Sequence, residues 1–140
     1  MESQSDLRNQ KTPVNVKALV GRLLSLFQPL AVKKRSLILN DIPPDMQVNA
    51  DLVKLARIIT SLLDSIFDKS ANCCIRITAR RYRSVVLFRL SHSNGTRRFT
   101  PDPHWQEVNR LASKLGGCVM DNDLRRSHAT VTFSFLSHPA

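Results

Sequence analysis

Apolar residues recur at helical spacing in three separate stretches of this chain. In the longest, Asp51 to Ser70, the positions Leu52, Leu55, Ile58, Ile59, Leu62, Leu63, Ile66 and Phe67 form one broad apolar face. Asp51 suits the N-cap or first turn and Lys69 suits the C-terminal end of the dipole. Val16 to Leu30 carries a second stripe, Val16, Leu19, Val20, Leu23, Leu24 and Phe27. Pro29 is expected to end or kink that helix, although the following residues can continue it for a turn. The third runs from Trp105 to Leu115, with Val108, Leu111, Ala112 and Leu115 inward, and Gly116-Gly117 stops it.

Between the helical stripes the period changes. Ser36 to Asn40 and Met46 to Asn49 are short apolar runs suited to strands, separated by a Pro43-Pro44 turn. Cys74 to Arg83 alternates, with Ile75, Ile77 and Ala79 on one side and Arg76, Thr78 and Arg80 on the other. That pattern predicts a half-buried antiparallel strand with a cationic outer face. A tight connection leads to a partner strand, Val85 to Ser91, and the stretch from His92 to Pro103 reads as a loop. Cys118 to Met120 and Ala129 to Leu136 close the sheet. The order α-β-β-α-β-β-α-β-β predicts an α+β two-layer sandwich, a mixed, mostly antiparallel sheet covered on one face by about three helices.

The 140 residues fit one domain, expected over 13–140 after a flexible polar tail at 1–12. There is no apolar run of about 18 residues to span a membrane, so no membrane insertion is expected. The polar start reads as no signal peptide. Cys73, Cys74 and Cys118 are odd in number and lack C-x-x-C spacing, which argues against structural zinc or a disulfide framework and for a reducing cytoplasm. The net charge of +10 changes the picture more, because such a field favours acidic proteins, nucleic acid or anionic surfaces as partners.

The Asp51 helix and its flanks resemble the ATP-binding domain of sensor histidine kinases, in the GHKL superfamily with DNA gyrase, heat-shock chaperones and MutL. The family pattern there is D-x-x-R/K-L-x-Q-V/I-L-x-N-L-L-x-N-A-x-K-F/Y-T. Asp51, Lys54, Leu55, Ile58, Ile59, Leu62, Leu63 and Ser70 answer it in register. The resemblance covers Pro13 to Leu136 and implies the Bergerat fold.

What it implies for ligand is loss. Ser65 stands where the family's magnesium-holding Asn would be, and Ser61 stands at the earlier Asn. Asp68 stands at a phosphate-facing Lys. With an effective dielectric near 20, reversing one charge about 4 Å from a polyanion is worth several kcal/mol. The base-reading D-x-G-x-G turn corresponds to His92, Ser93, Asn94, Gly95 and Thr96, without its carboxylate. The glycine-rich lid corresponds to Pro101, Asp102, Pro103, His104 and Trp105, where prolines remove amide donors. A last family glycine is His128.

The vestigial pocket is therefore Ser61, Ser65, Asp68, His92, Asn94, Gly95 and His104, with no catalytic residue, no metal site and no cofactor expected. The expected role is a pseudo-ATPase acting by protein contact in two-component or phosphorelay signalling. Its partners would be a response-regulator receiver domain or a histidine kinase or phosphotransferase dimerisation domain. The candidate contact face is Arg76, Arg80, Arg81, Arg83, Arg97 and Arg98. Two alternatives stay open: a divergent but active kinase domain binding ATP and magnesium, and a basic nucleic-acid-binding module. The scarcity of exposed aromatics argues against the latter.

Overall fold

The computed structural model describes residues 12–69, 72–93, 103–125 and 128–137, with side chains except at 68, 69, 93, 103–105, 121–125, 128 and 129. Its elements are β1 (Thr12–Asn15), α1 (Val16–Lys33), β2 (Leu37–Asn40), β3 (Gln47–Ala50), α2 (Leu52–Lys69), β4 (Cys74–Tyr82), β5 (Val85–Ser93), α3 (Pro103–Lys114), β6 (Cys118–Arg125) and β7 (His128–Leu136). Strands β2-β4-β5-β7-β6 form one five-stranded sheet, in which β2 runs parallel to β4 and the other pairs are antiparallel. This is the expected α+β sandwich.

The strand β1 is an addition to the expected order. Its four residues pair antiparallel with β3, Val14 opposite Val48, in a two-stranded sheet of their own. Asn15 then caps α1: its Oδ1 accepts from the Ala18 amide at 2.9 Å, and its Nδ2 donates to the Pro44 carbonyl at 2.9 Å. Pro29 does not end α1, which runs on to Lys33 as the optional further turn allowed.

Asp51 is the N-cap of α2, its Oδ1 accepting from the Val53 and Lys54 amides at 3.1 and 3.2 Å. The stripe Leu55, Ile58, Ile59, Leu62, Leu63, Ile66 and Phe67 is wholly buried, but Leu52, at the mouth of the helix, is exposed. Against it packs the inner face of the sheet: Ile75, Ile77 and Ala79 from β4, Val86, Phe88 and Leu90 from β5, and Val131, Phe133 and Phe135 from β7. Phe27 of α1 stacks on Phe67 with ring centroids 5.4 Å apart, joining the two long helices. At the start of α3's return to the sheet, Gly116 has φ +77° and Gly117 lies against β7. No described helix is long and apolar enough to cross a membrane.

A Cβ at Gly117 would sit 1.6 Å from the Ser134 carbonyl oxygen, a backbone atom that cannot step aside without breaking the β6–β7 ladder. Gly117→Ala is therefore expected to destabilise the fold by at least about 3 kcal/mol, measured as a lowered urea midpoint, whereas Gly21→Ala on α1, whose Cβ would meet only Asn40 Nδ2 at an ordinary contact distance of 4.0 Å, leaves the midpoint nearly unchanged or raised.

Candidate functional site

Ser61 and Ser65 are one helical turn apart on α2, and Asp68 follows three residues on, so the three positions share one stripe at the shoulder of the buried face. Both serines are half-buried. Arg57, on the same side of the helix, acts electrostatically on Glu107 of α3. Glu107 itself is held below the ordinary carboxylate range, first by its hydrogen bond from Arg110 at 2.5 Å.

His92 is not in a loop. β5 continues through Ser93, and His92 pairs with Ile75 on one side and Ala129 on the other. It is 3% exposed and has the same strand parity as Phe88 and Leu90, so it lies on the inner, helix-covered face of the sheet. Position 92 thus belongs to the edge of the core. The physical reason is that β4 offers a full row of backbone partners as far as Cys74, so the ladder does not stop where polar residues begin.

Asn94 and Gly95, with Arg97 and Arg98 of the basic face, lie outside the described residues. Asp68 and His104 are placed by backbone only, in the last turn of α2 and the first turn of α3. The donor set that is placed, two serine hydroxyls and a buried imidazole, does not fit the magnesium–triphosphate group that the family pattern implies. A hard cation needs oxygen ligands with reach, and neither serine has the length of the amide it replaces.

The end of α2 holds one group that periodicity does not reveal. Lys34, just past α1, donates from Nζ to the Phe67 carbonyl and so answers the C-terminal dipole of α2. Arg35 and Asn72 adopt left-handed backbone at φ 53° and 54°, and the Asn72 amide donates to the Lys34 carbonyl at 2.9 Å. With Leu30 and Lys33 they line an open depression of about 420 Å³. Its cations sit at two helix C-termini, where positive charge is the ordinary complement of the dipole.

The six candidate arginines do not form one face. Arg76 and Arg80 lie exposed on the outer side of β4, and Arg76 bridges to Asp41 at 3.3 Å. Arg83 occupies the β4–β5 turn with φ 58°. Arg81 points the other way, donating to the Gln47 carbonyl at 3.1 Å and to Ser137 Oγ at 2.6 Å. Ser137 is buried and accepts the Asn49 amide at 3.0 Å, so Arg81 clamps the small β1–β3 sheet and the chain after β7 to β4. In its place the outer face gains Arg89, opposite Thr78 on β5. The alternation of Val85 to Ser91, read against a two-residue turn at Arg83-Ser84, carries the signal for Arg89.

No protein-family model matches the chain, and no curated protein matches it. Solved structures do. A histidine kinase of Acinetobacter baumannii, AdeS, superposes with a TM-score of 0.82 at 15% identity, over 98% of this chain and 72% of that one. The fold is that of the histidine kinase catalytic domain. The catalytic domain of the histidine kinase ThkA in a nucleotide-free form gives a TM-score of 0.77 at 16% identity, over 93% of this chain and 99% of that one. ThkA in complex with the response regulator TrrA gives 0.71 at 16% identity, over 92% of this chain and 42% of that one. On this histidine kinase fold, Ser61 and Ser65 lie on α2 and His92 lies near the end of β5.

Arg81 and Arg80 are adjacent in sequence but differ in burden. Arg81→Ala removes the guanidinium bonds to the Gln47 carbonyl and to the buried Ser137 hydroxyl, leaving the latter only the Asn49 amide, and is expected to cost about 1–3 kcal/mol. Arg80→Ala, on the outer face, is expected to change stability by no more than about 0.5 kcal/mol, and paired urea melts measure the contrast.

Proposed function

We propose that this chain is a degenerate histidine-kinase-like domain that takes part in two-component or phosphorelay signalling by protein contact, with ATP binding lost. The observation that carries the reading is the separation of scaffold from site. The apolar stripe of α2 is complete and buried, while Ser61, Ser65 and His92 stand where amides and a base-reading carboxylate belong in the family pattern. Asp68 places a negative charge where a phosphate-facing lysine belongs, and the prolines at 101 and 103 replace lid glycines. No nucleotide, magnesium ion or other cofactor has a role in this reading, and no residue is assigned to catalysis.

The partner in this reading is a response-regulator receiver domain or the dimerisation domain of a histidine kinase or phosphotransferase. The solved complex of ThkA with TrrA supports it by analogy of fold. The net charge of +10 speeds encounter with an acidic receiver. We place the chain in the cytoplasm, in keeping with the free thiols of Cys73, Cys74 and Cys118.

Thermal melting with magnesium and ATP or ADP tests the loss directly. A ligand present at about 100 times its dissociation constant stabilises its protein by about 2.7 kcal/mol. The expected result is an unchanged melting temperature across millimolar nucleotide; a saturable rise would instead make the chain a divergent nucleotide-binding kinase domain. Pull-down at low salt against receiver and dimerisation domains tests the partner class, with retention expected and no capture counting against it.

A further inference from the structure

We propose that the face of the five-stranded sheet that no described helix covers is a docking surface for an acidic protein partner, anchored by a carboxylate seated between Arg80 and Arg89. The proposal rests on the protein-contact reading above. Its test is separable from nucleotide loss, because this face lies on the side of the sheet away from the helices.

Strand register sets the arrangement. Thr78 pairs with Arg89, and Arg80 pairs with Leu87, so Arg80 and Arg89 are diagonal neighbours on one face, within reach of a common ligand. Arg76, opposite Ser91, adds a third cation one pair further along. The outward positions of the three central strands are Cys74, Arg76, Thr78, Arg80 and Tyr82 on β4, Val85, Leu87, Arg89, Ser91 and Ser93 on β5, and His128, Thr130, Thr132, Ser134 and Leu136 on β7. None is acidic. Arg76 borrows Asp41 from beyond the end of β2, and among the described residues neither Arg80 nor Arg89 makes an ion pair. The face therefore holds uncompensated positive charge that a carboxylate relieves.

Thr78, Arg80, Tyr82, Leu87 and Arg89 enclose a depression of about 60 Å³. Its lining combines two arginines with a threonine and a tyrosine, a set suited to a carboxylate, and arginine meets that group with paired, charge-assisted bonds.

The surroundings select protein over the other polyanions. Tyr82, Val85 and Met120 are exposed on the same face at 53%, 36% and 52%, which suits the apolar side chains of an amphipathic partner. Single-stranded nucleic acid is held by rows of aromatic side chains, and Tyr82 is the one aromatic at these outward positions. A second copy of the chain would bring the same cations face to face.

The experiment uses the full chain and two fluorescent probes: a synthetic amphipathic helix with glutamates along one face and leucines beside them, and an oligothymidylate of matching charge. The expected result is binding of the acidic helix that weakens with salt and falls at least about tenfold in Arg80→Glu/Arg89→Glu. The charge-matched control Lys17→Glu/Arg22→Glu, on α1, is expected to keep most of the affinity. Arg80→Gln/Arg89→Gln repeats the measurement with a milder change, and melting curves verify that each variant folds. Equal losses in both charge-reversal variants, no binding of the acidic helix, or preferential binding of oligothymidylate lost in the Arg80/Arg89 variants would each overturn the proposal.

Discussion

The burial of one stripe of α2 against the inner face of the sheet is the interaction on which the rest depends. Seven side chains from Leu55 to Phe67 are essentially inaccessible to solvent, at 0–1% exposure. Each is worth about 1.5–3 kcal/mol when fully buried, so this one helix face supplies a large share of what holds the layers together. A ligand-reading residue on α2 has no place on that face and must stand on its shoulder, where Ser61 and Ser65 are. Substitution at a shoulder costs little stability. The scaffold can therefore persist while the chemistry of such a shoulder changes, which is the pattern the proposed function assigns to this chain.

The same strands that receive α2 carry opposite properties on their two sides. Ile75, Ile77 and Ala79 alternate with Arg76, Thr78 and Arg80 along β4, and Phe88 and Leu90 alternate with Leu87 and Arg89 along β5. Period-two geometry enforces the segregation along these residues, since a one-residue slip would bury Arg76, Arg80 and Arg89 and expose the core. The register is pinned by the apolar inner face, and the positions of the outer cations follow from it. A charged surface with a fixed spacing of guanidinium groups is a consequence of the core packing, not a separate construction.

The helices and central strands were legible because their period is strong over many residues. β1 was not: Thr12–Asn15 contains a proline and is only four residues long, and it exists as a strand because β3, more than thirty residues on, offers it a partner. Pro29 was readable as a stop or as one more turn, and packing of Phe27 and Ala31 on the same buried side of α1 favours the longer helix. The basic face was half legible. Arg76 and Arg80 follow from alternation within β4, but Arg89 needs the cross-strand register, and the role of Arg81 depends on Gln47 and Ser137, distant in sequence. Of the nucleotide-side positions, sequence places Ser61 and Ser65 correctly on one helix stripe, but reads His92 as loop because its polar neighbours hide the ladder that continues beneath them.

His92 shows why the altered site is not one substitution from an ordinary one. Its backbone is fixed on both sides, opposite Ile75 and Ala129, and its side chain is buried on the helix-covered face. On the proposed reading, a carboxylate placed at this position alone would enter the helix-covered face of the sheet while serines, not the amides of the family pattern, stand at 61 and 65. An isolated buried carboxylate is costly and takes up a proton instead of staying charged. A protonated acid cannot act as the anionic acceptor that base reading uses. In that reading amides at 61 and 65 and a cation at 68 would be needed as well before a charged group at 92 had anything to work with, so the four positions stand or fall together.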